Sequence, residues 1–130
     1  MLLLILLVLL LVLYQSGLPA QYLTRQVGVE AQIGPRDDLP EPTIEIARAR
    51  RAFNNLQETL PIFLTLAVLS VIYQENGWLS LLGAGLYFVA RVVHFLCYMR
   101  GLTPWRSIAF GFSMLGIFIT AVPIVPHLWS

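Results

Sequence analysis

Arg48-Ala49-Arg50-Arg51-Ala52-Phe53-Asn54-Asn55-Leu56-Gln57-Glu58-Thr59-Leu60-Pro61 runs without a break into the apolar segment Ile62 to Tyr73. Its polar residues therefore lie on a helix that is entering a membrane. Arg48, Arg51, Asn55 and Glu58 stand at i, i+3, i+7 and i+10, a spacing that gathers them on one helical face. Two guanidinium groups, an amide and a carboxylate line up along that stripe, with the carboxylate deepest. Ionisable groups are costly against lipid, so the stripe does not suit a lipid-facing helix. It suits a charged polar ligand held at the edge of a bilayer.

Outward from that stretch the chain stays apolar. Of its 130 residues 58% are hydrophobic, and the mean hydropathy is +0.76. Runs of about 20 apolar residues are long enough to cross the hydrocarbon core as helices. The length allows four such spans and little else. The expected fold is an all-α, integral membrane four-helix bundle forming one domain over residues 1–130. Toward the N-terminus, Leu2 to Leu13 is continuous leucine, isoleucine and valine. A cleaved signal peptide would need a basic residue before this run and a small-x-small site after it, and neither is clear. The first span is read as Leu2 to about Tyr22, with Tyr14 and Gln15 able to face inward. Residues 25–42 form the one substantial loop, irregular and wet because glycine, prolines and charges punctuate it. Thr43 is placed to cap the second helix, which runs to about Tyr73. That is too long for the bilayer alone, so the bilayer takes roughly Ala52 to Tyr73, and a kink is expected at Pro61.

After the short turn Gln74 to Gly77, the third helix covers about Trp78 to Met99. Tyr87, Arg91, His94 and Tyr98 stand at i, i+4, i+7 and i+11, a second polar stripe. An intramembrane arginine needs a partner. Glu58 and Arg91 are either an ion pair that fixes helix packing or two ligand contacts. Thr103 reads as an N-cap and Pro104 as the first residue of the fourth helix, which runs to about Val122. Arg106 falls in that first turn, where the helix dipole disfavours a cation unless an anion binds beside it.

All eight basic residues are arginines. Arginine matches carboxylates through a planar, two-pronged geometry. The codon usage of a GC-rich genome gives the same bias. Arg25, Arg36, Arg48, Arg50 and Arg51 flank the first loop, and Arg100 and Arg106 flank the third. By the positive-inside rule both loops are cytoplasmic and both termini lie outside, so the two polar stripes open toward the cytoplasm. Net charge of +1 with no basic run speaks against a nucleic-acid partner. Cys97 is the single cysteine, which rules out an intrachain disulfide and a cysteine metal site. No metal-ligand cluster and no glycine-rich phosphate loop occurs, so no metal cofactor is expected.

These residues together resemble the membrane-associated eicosanoid and glutathione metabolism (MAPEG) superfamily. The resemblance rests on Arg-x-x-Arg-Ala-x-x-Asn-x-x-Glu-x-x-Pro in the second helix, here Arg48, Arg51, Ala52, Asn55, Glu58 and Pro61. It also rests on Arg-x-x-His-x-x-x-Tyr in the third, here Arg91, His94 and Tyr98, and on the Arg106-Ser107 pair opening the fourth. The loop Gly34-Pro35-Arg36-Asp37 is similar to the bacterial branch, and the group includes microsomal glutathione transferase and leukotriene C4 synthase. Phe110 departs from the pattern, standing where some relatives have a tyrosine.

The resemblance implies a homotrimer in a bacterial inner membrane, with glutathione as co-substrate near the cytoplasmic face and a lipophilic second substrate reached through the membrane lipids. It implies that Arg51, Asn55 and Glu58 hold glutathione from one subunit and that His94, Tyr98 and Arg106 contact it from the neighbour. Arg106 would activate the thiol, with Arg48, Arg91 and Ser107 in support. The function implied is a membrane-bound glutathione transferase or peroxidase. Two other classes stay open on the same hydropathy. One is a non-catalytic lipid-binding or scaffold protein on the same fold. The other is a small multidrug-type transporter, which would carry a carboxylate deep in the first helix, where Leu2 to Leu13 has none.

Overall fold

The computed structural model describes residues 1–130. Thr43 opens the helix that carries the first polar stripe: its hydroxyl oxygen accepts the Ile46 N–H at 3.3 Å, satisfying one of the free donors of the first turn. In chain order the elements are α1 (Leu2–Val27), α2 (Val29–Ile33), α3 (Ile44–Ile72), α4 (Trp78–Arg100), α5 (Trp105–Ala121) and a 3-10 helix (Val125–Trp129). Four of these stretches are long and apolar enough to span a membrane: α1, α3, α4, and α5 together with the 3-10 helix. Their outward side chains, among them Leu3, Leu10, Leu13, Val89 and Phe118, stay exposed. Backbone groups are bonded within each helix, as a lipid environment demands. The fold is therefore an all-helical, integral membrane four-helix bundle.

Small residues set how closely α4 and α5 approach. A Cβ added to Gly83 would lie 2.6 Å from the Thr120 backbone nitrogen, and one added to Gly116 would lie 2.7 Å from the Gly83 carbonyl oxygen and from the Tyr87 nitrogen. Lipid tails are as apolar as leucine, so helix association in a bilayer depends on such close packing rather than on burial from water.

Two apolar clusters fill the interior. Ile5, Val8, Phe63, Ala67, Ala84, Tyr87 and Ile117 form one, with the Phe63 and Tyr87 rings stacked 4.1 Å apart. Leu18, Ala49, Ala52 and Phe95 form the other. Along each helix the buried polar groups Gln15, Thr59 and Arg91 fall between the members of these clusters. Ile5 and Val8 belong to the shared core, so α1 is an integral member of the bundle.

Three expectations change. The first loop is shorter than 25–42: α1 continues to Val27, stops at Gly28 with φ +89°, and Val29–Ile33 makes a further helical turn. α1 runs on through Thr24 and Gln26, where the Thr24 hydroxyl donates to the Ala20 carbonyl and Gln26 Nε2 to the Glu41 carbonyl. Thr103 caps nothing. Pro104 takes the cap position, and its carbonyl accepts from Ser107 and Ile108 N–H, so α5 starts at Trp105. Tyr14 and Gln15 diverge, since consecutive helical residues point about 100° apart. Gln15 is buried on the stripe of Val8 and Leu18, whereas Tyr14 is exposed and meets the Phe95 ring edge-on at 5.7 Å.

Candidate functional site

Arg48 joins the start of α3 to the end of α4. Its Nη1 donates to the Met99 carbonyl at 3.1 Å, one of the last α4 carbonyls left without an intrahelical donor. Arg48 and Arg51 of the first stripe thus meet Arg106 of α5 at one end of the bundle. The opposite end is closed by a different contact, between His127 Nε2 and Glu75 Oε1 at 2.8 Å, with the Tyr73 ring 4.7 Å from that of His127.

Two adjoining cavities open at the arginine end. The outer one, about 190 Å³, is lined by Arg48, Arg51, Tyr98, Thr103 and Arg106 together with Cys97 and backbone of the α4–α5 turn. The inner one, about 250 Å³, is lined by Asn55, His94, Tyr98, Arg106, Ser107 and Phe110. Tyr98 and Arg106 border both. The Arg106 guanidinium lies over the Tyr98 ring, 4.7 Å from its centroid, a cation–π contact that holds the charge at the junction. His94 is buried one turn deeper on α4, its ring 5.5 Å from that of Tyr98.

The structure brings Arg48, Arg51, Asn55, His94, Tyr98, Arg106 and Ser107 to these cavities within a single chain. The resemblance divided Arg51 and Asn55 from His94, Tyr98 and Arg106 by a subunit boundary. Within one chain α3 packs on α4, so that Arg51 lines the outer cavity and Asn55 the inner one, each beside Tyr98 and Arg106. Glu58 lines neither cavity and is exposed on α3. The Glu58–Arg91 ion pair does not form within the chain, where no arginine is paired with a carboxylate. Arg91 is fully buried and donates to Asn55 Oδ1 at 2.9 Å instead. Tyr87 is a packing residue, its hydroxyl 2.9 Å from Thr59 Oγ1.

Phe110 is a lining residue that the motif reading set aside as a departure. Its signal was its spacing, at i+4 from Arg106 and i+3 from Ser107, on one face of α5. A wholly apolar groove of about 250 Å³ lies between α4 and α5, lined on α5 by Trp105, Ile108, Ala109 and Phe112. That set and the set Arg106, Ser107 and Phe110 occupy opposite faces of α5. Arg106 does not line this groove.

Chemically, the arrangement sets a row of guanidinium donors along a half-open polar cleft, with an aromatic side chain at its inner edge. Such a cleft answers carboxylates by charge-assisted, two-pronged bonds, and a cation beside a thiol favours its thiolate. A search of curated proteins returns no match. A family model described as the MAPEG family matches residues 1–125. With the four apolar helices and the two converging stripes, the chain belongs to the MAPEG family of integral membrane proteins, which holds glutathione transferases and peroxidases alongside members without catalysis.

Proposed function

We propose that the protein is a membrane-bound glutathione transferase or peroxidase that joins glutathione to lipophilic electrophiles or uses it to reduce them. The observation that carries this reading is the position of Arg106, shared by both cavities and stacked on Tyr98. Glutathione has two carboxylates, an ammonium and a thiol. Arg51 and Arg48 answer a carboxylate in the outer cavity. Asn55, His94 and Tyr98 hold the peptide in the inner one. Arg106 faces the sulfur and stabilises its thiolate. In transfer, that thiolate attacks an electrophilic carbon; a carbon–sulfur bond forms while the bond to the leaving group breaks. Phe110, at the inner cavity and half-buried, gives the lipophilic substrate an apolar side from which to approach.

Glu58 takes its part from a neighbouring subunit in a homotrimer, because in one chain it is exposed on a membrane-entering helix. The arginine end faces the cytoplasm of a bacterial inner membrane and both termini lie outside, following the arginine asymmetry of the loops. The test is glutathione titration of the purified protein, followed by thiolate absorbance and by turnover of a chlorodinitrobenzene. Binding with a thiolate signal and turnover supports the enzyme. Absence of glutathione binding moves the protein to the lipid-binding or scaffold class on the same fold.

A further inference from the structure

Arg91 is the one arginine away from the bundle's arginine end. It is fully buried, and Asn55 Oδ1 is its only hydrogen-bond partner, at 2.9 Å. Arg91 lines neither cavity, while Asn55 lines the inner one. A guanidinium only donates, and an asparagine amide carries an acceptor oxygen at one end and a donor NH2 at the other. Turning the amide over would set its NH2 against the guanidinium, donor to donor, in a buried place where an unmet polar group is costly. The bond therefore fixes which end of Asn55 is free. The oxygen is committed to Arg91, and the NH2 is what remains for the cavity.

We propose that Arg91 is a positioning residue that holds Asn55 as a hydrogen-bond donor, so that this point of the inner cavity selects an acceptor oxygen of the ligand, a peptide carbonyl or carboxylate, and rejects an ammonium. The inference rests on the glutathione reading above for the ligand, but not for the orientation of the amide. Arg106, which only donates, borders the same cavity, and the Ser107 and Tyr98 hydroxyls there can donate as well. The ammonium of glutathione then lies away from Asn55.

The experiment has two arms. The first uses the unliganded protein with ¹⁵N in its asparagine side chains, of which there are three, Asn54, Asn55 and Asn76; Asn55→Ala identifies the Asn55 signal. Donation from Arg91 polarises the amide, so Arg91→Met is expected to move that signal upfield and Arg91→Lys to move it less. The second arm measures glutathione dissociation constants. Arg91→Met is expected to weaken binding about tenfold and Arg91→Lys about threefold or less. In an Asn55→Ala background, Arg91→Met is expected to add no further loss, since the amide it orients is gone. Asn55→Asp, which keeps an acceptor for Arg91 but offers the ligand no donor, is expected to bind at least as weakly as Asn55→Ala. An unmoved amide signal in Arg91→Met overturns the positioning role. So do losses that simply add in the double variant, which would mean Arg91 acts through packing alone. No glutathione binding by the unaltered protein, with the amide signal still moved by Arg91→Met, overturns the ligand assignment and supports the orientation.

Discussion

The Arg106 guanidinium lies 4.7 Å from the centre of the Tyr98 ring, across the turn that joins α4 to α5. Arg106 opens α5, where the helix dipole works against a cation. The face of an aromatic ring offsets that cost and keeps the charge over the cavities. The same contact ties the ligand-binding part of α4 to the start of α5.

A first prediction follows for that ring. Tyr98→Phe keeps the aromatic face, whereas Tyr98→Leu removes it. Loss of a partly exposed cation–π contact is worth about 0.5–1 kcal/mol. Turnover of a chlorodinitrobenzene by Tyr98→Leu should therefore fall below that of Tyr98→Phe by about that amount in kcat/KM. Equal activity in the two variants would remove the ring from the account of Arg106.

Helix packing gives a second. In Gly83→Ala the new methyl group would meet backbone of α5 at 2.6 Å, whereas Gly85→Ala, two residues along α4, meets nothing within 4 Å. Overpacking against backbone costs about 1–3 kcal/mol. Thermal unfolding in detergent should show Gly83→Ala clearly destabilised and Gly85→Ala close to the unaltered protein. Matching midpoints would mean that α4 and α5 are not held at this crossing.

Orientation is tested by labelling. In a background of Cys97→Ala, Asp37→Cys and Asn76→Cys should react from opposite sides of the membrane, with the residue-37 variant reached from the cytoplasm. The reason is that arginines flank the first and third loops and are lacking from the second. Labelling of both from one side contradicts the topology.

Subunit number is tested by mass. Asn54, Gln57 and Glu58 are exposed on α3 within the stretch expected to cross the bilayer, and lipid cannot satisfy them. A neighbouring subunit can. The detergent-corrected mass should be three times 14.6 kDa; a monomer under mild conditions contradicts the shared-site account of Glu58.

The spans were legible in the sequence because each is a long apolar run, and the Thr43 cap because capping depends on residues three apart. The first loop was misplaced for a local reason. Arg25 and Gln26 look like loop residues, but nothing breaks the helix before Gly28. The site stripes were legible as faces of single helices. Their pairing was not, because it depends on how α3 and α4 are rotated about their axes. That rotation brings Asn55, rather than Glu58, against Arg91. The Glu75–His127 contact joins residues 52 apart in the chain, and no periodicity signals it.

The central claim is that Arg106 stabilises the thiolate of bound glutathione. Its most direct test is thiolate absorbance on adding glutathione to the unaltered protein and to Arg106→Ala, alongside the dissociation constant of each. Removing one charge-assisted contact costs about 1.5–3 kcal/mol, and here the loss should fall on the ionised form. The account predicts a thiolate signal in the unaltered protein that is largely lost in Arg106→Ala, with glutathione still bound. Arg51→Ala should instead weaken binding and keep the signal at saturation. An unchanged thiolate signal in Arg106→Ala, with binding weakened as much as in Arg51→Ala, would contradict the claim and leave Arg106 as a carboxylate contact only.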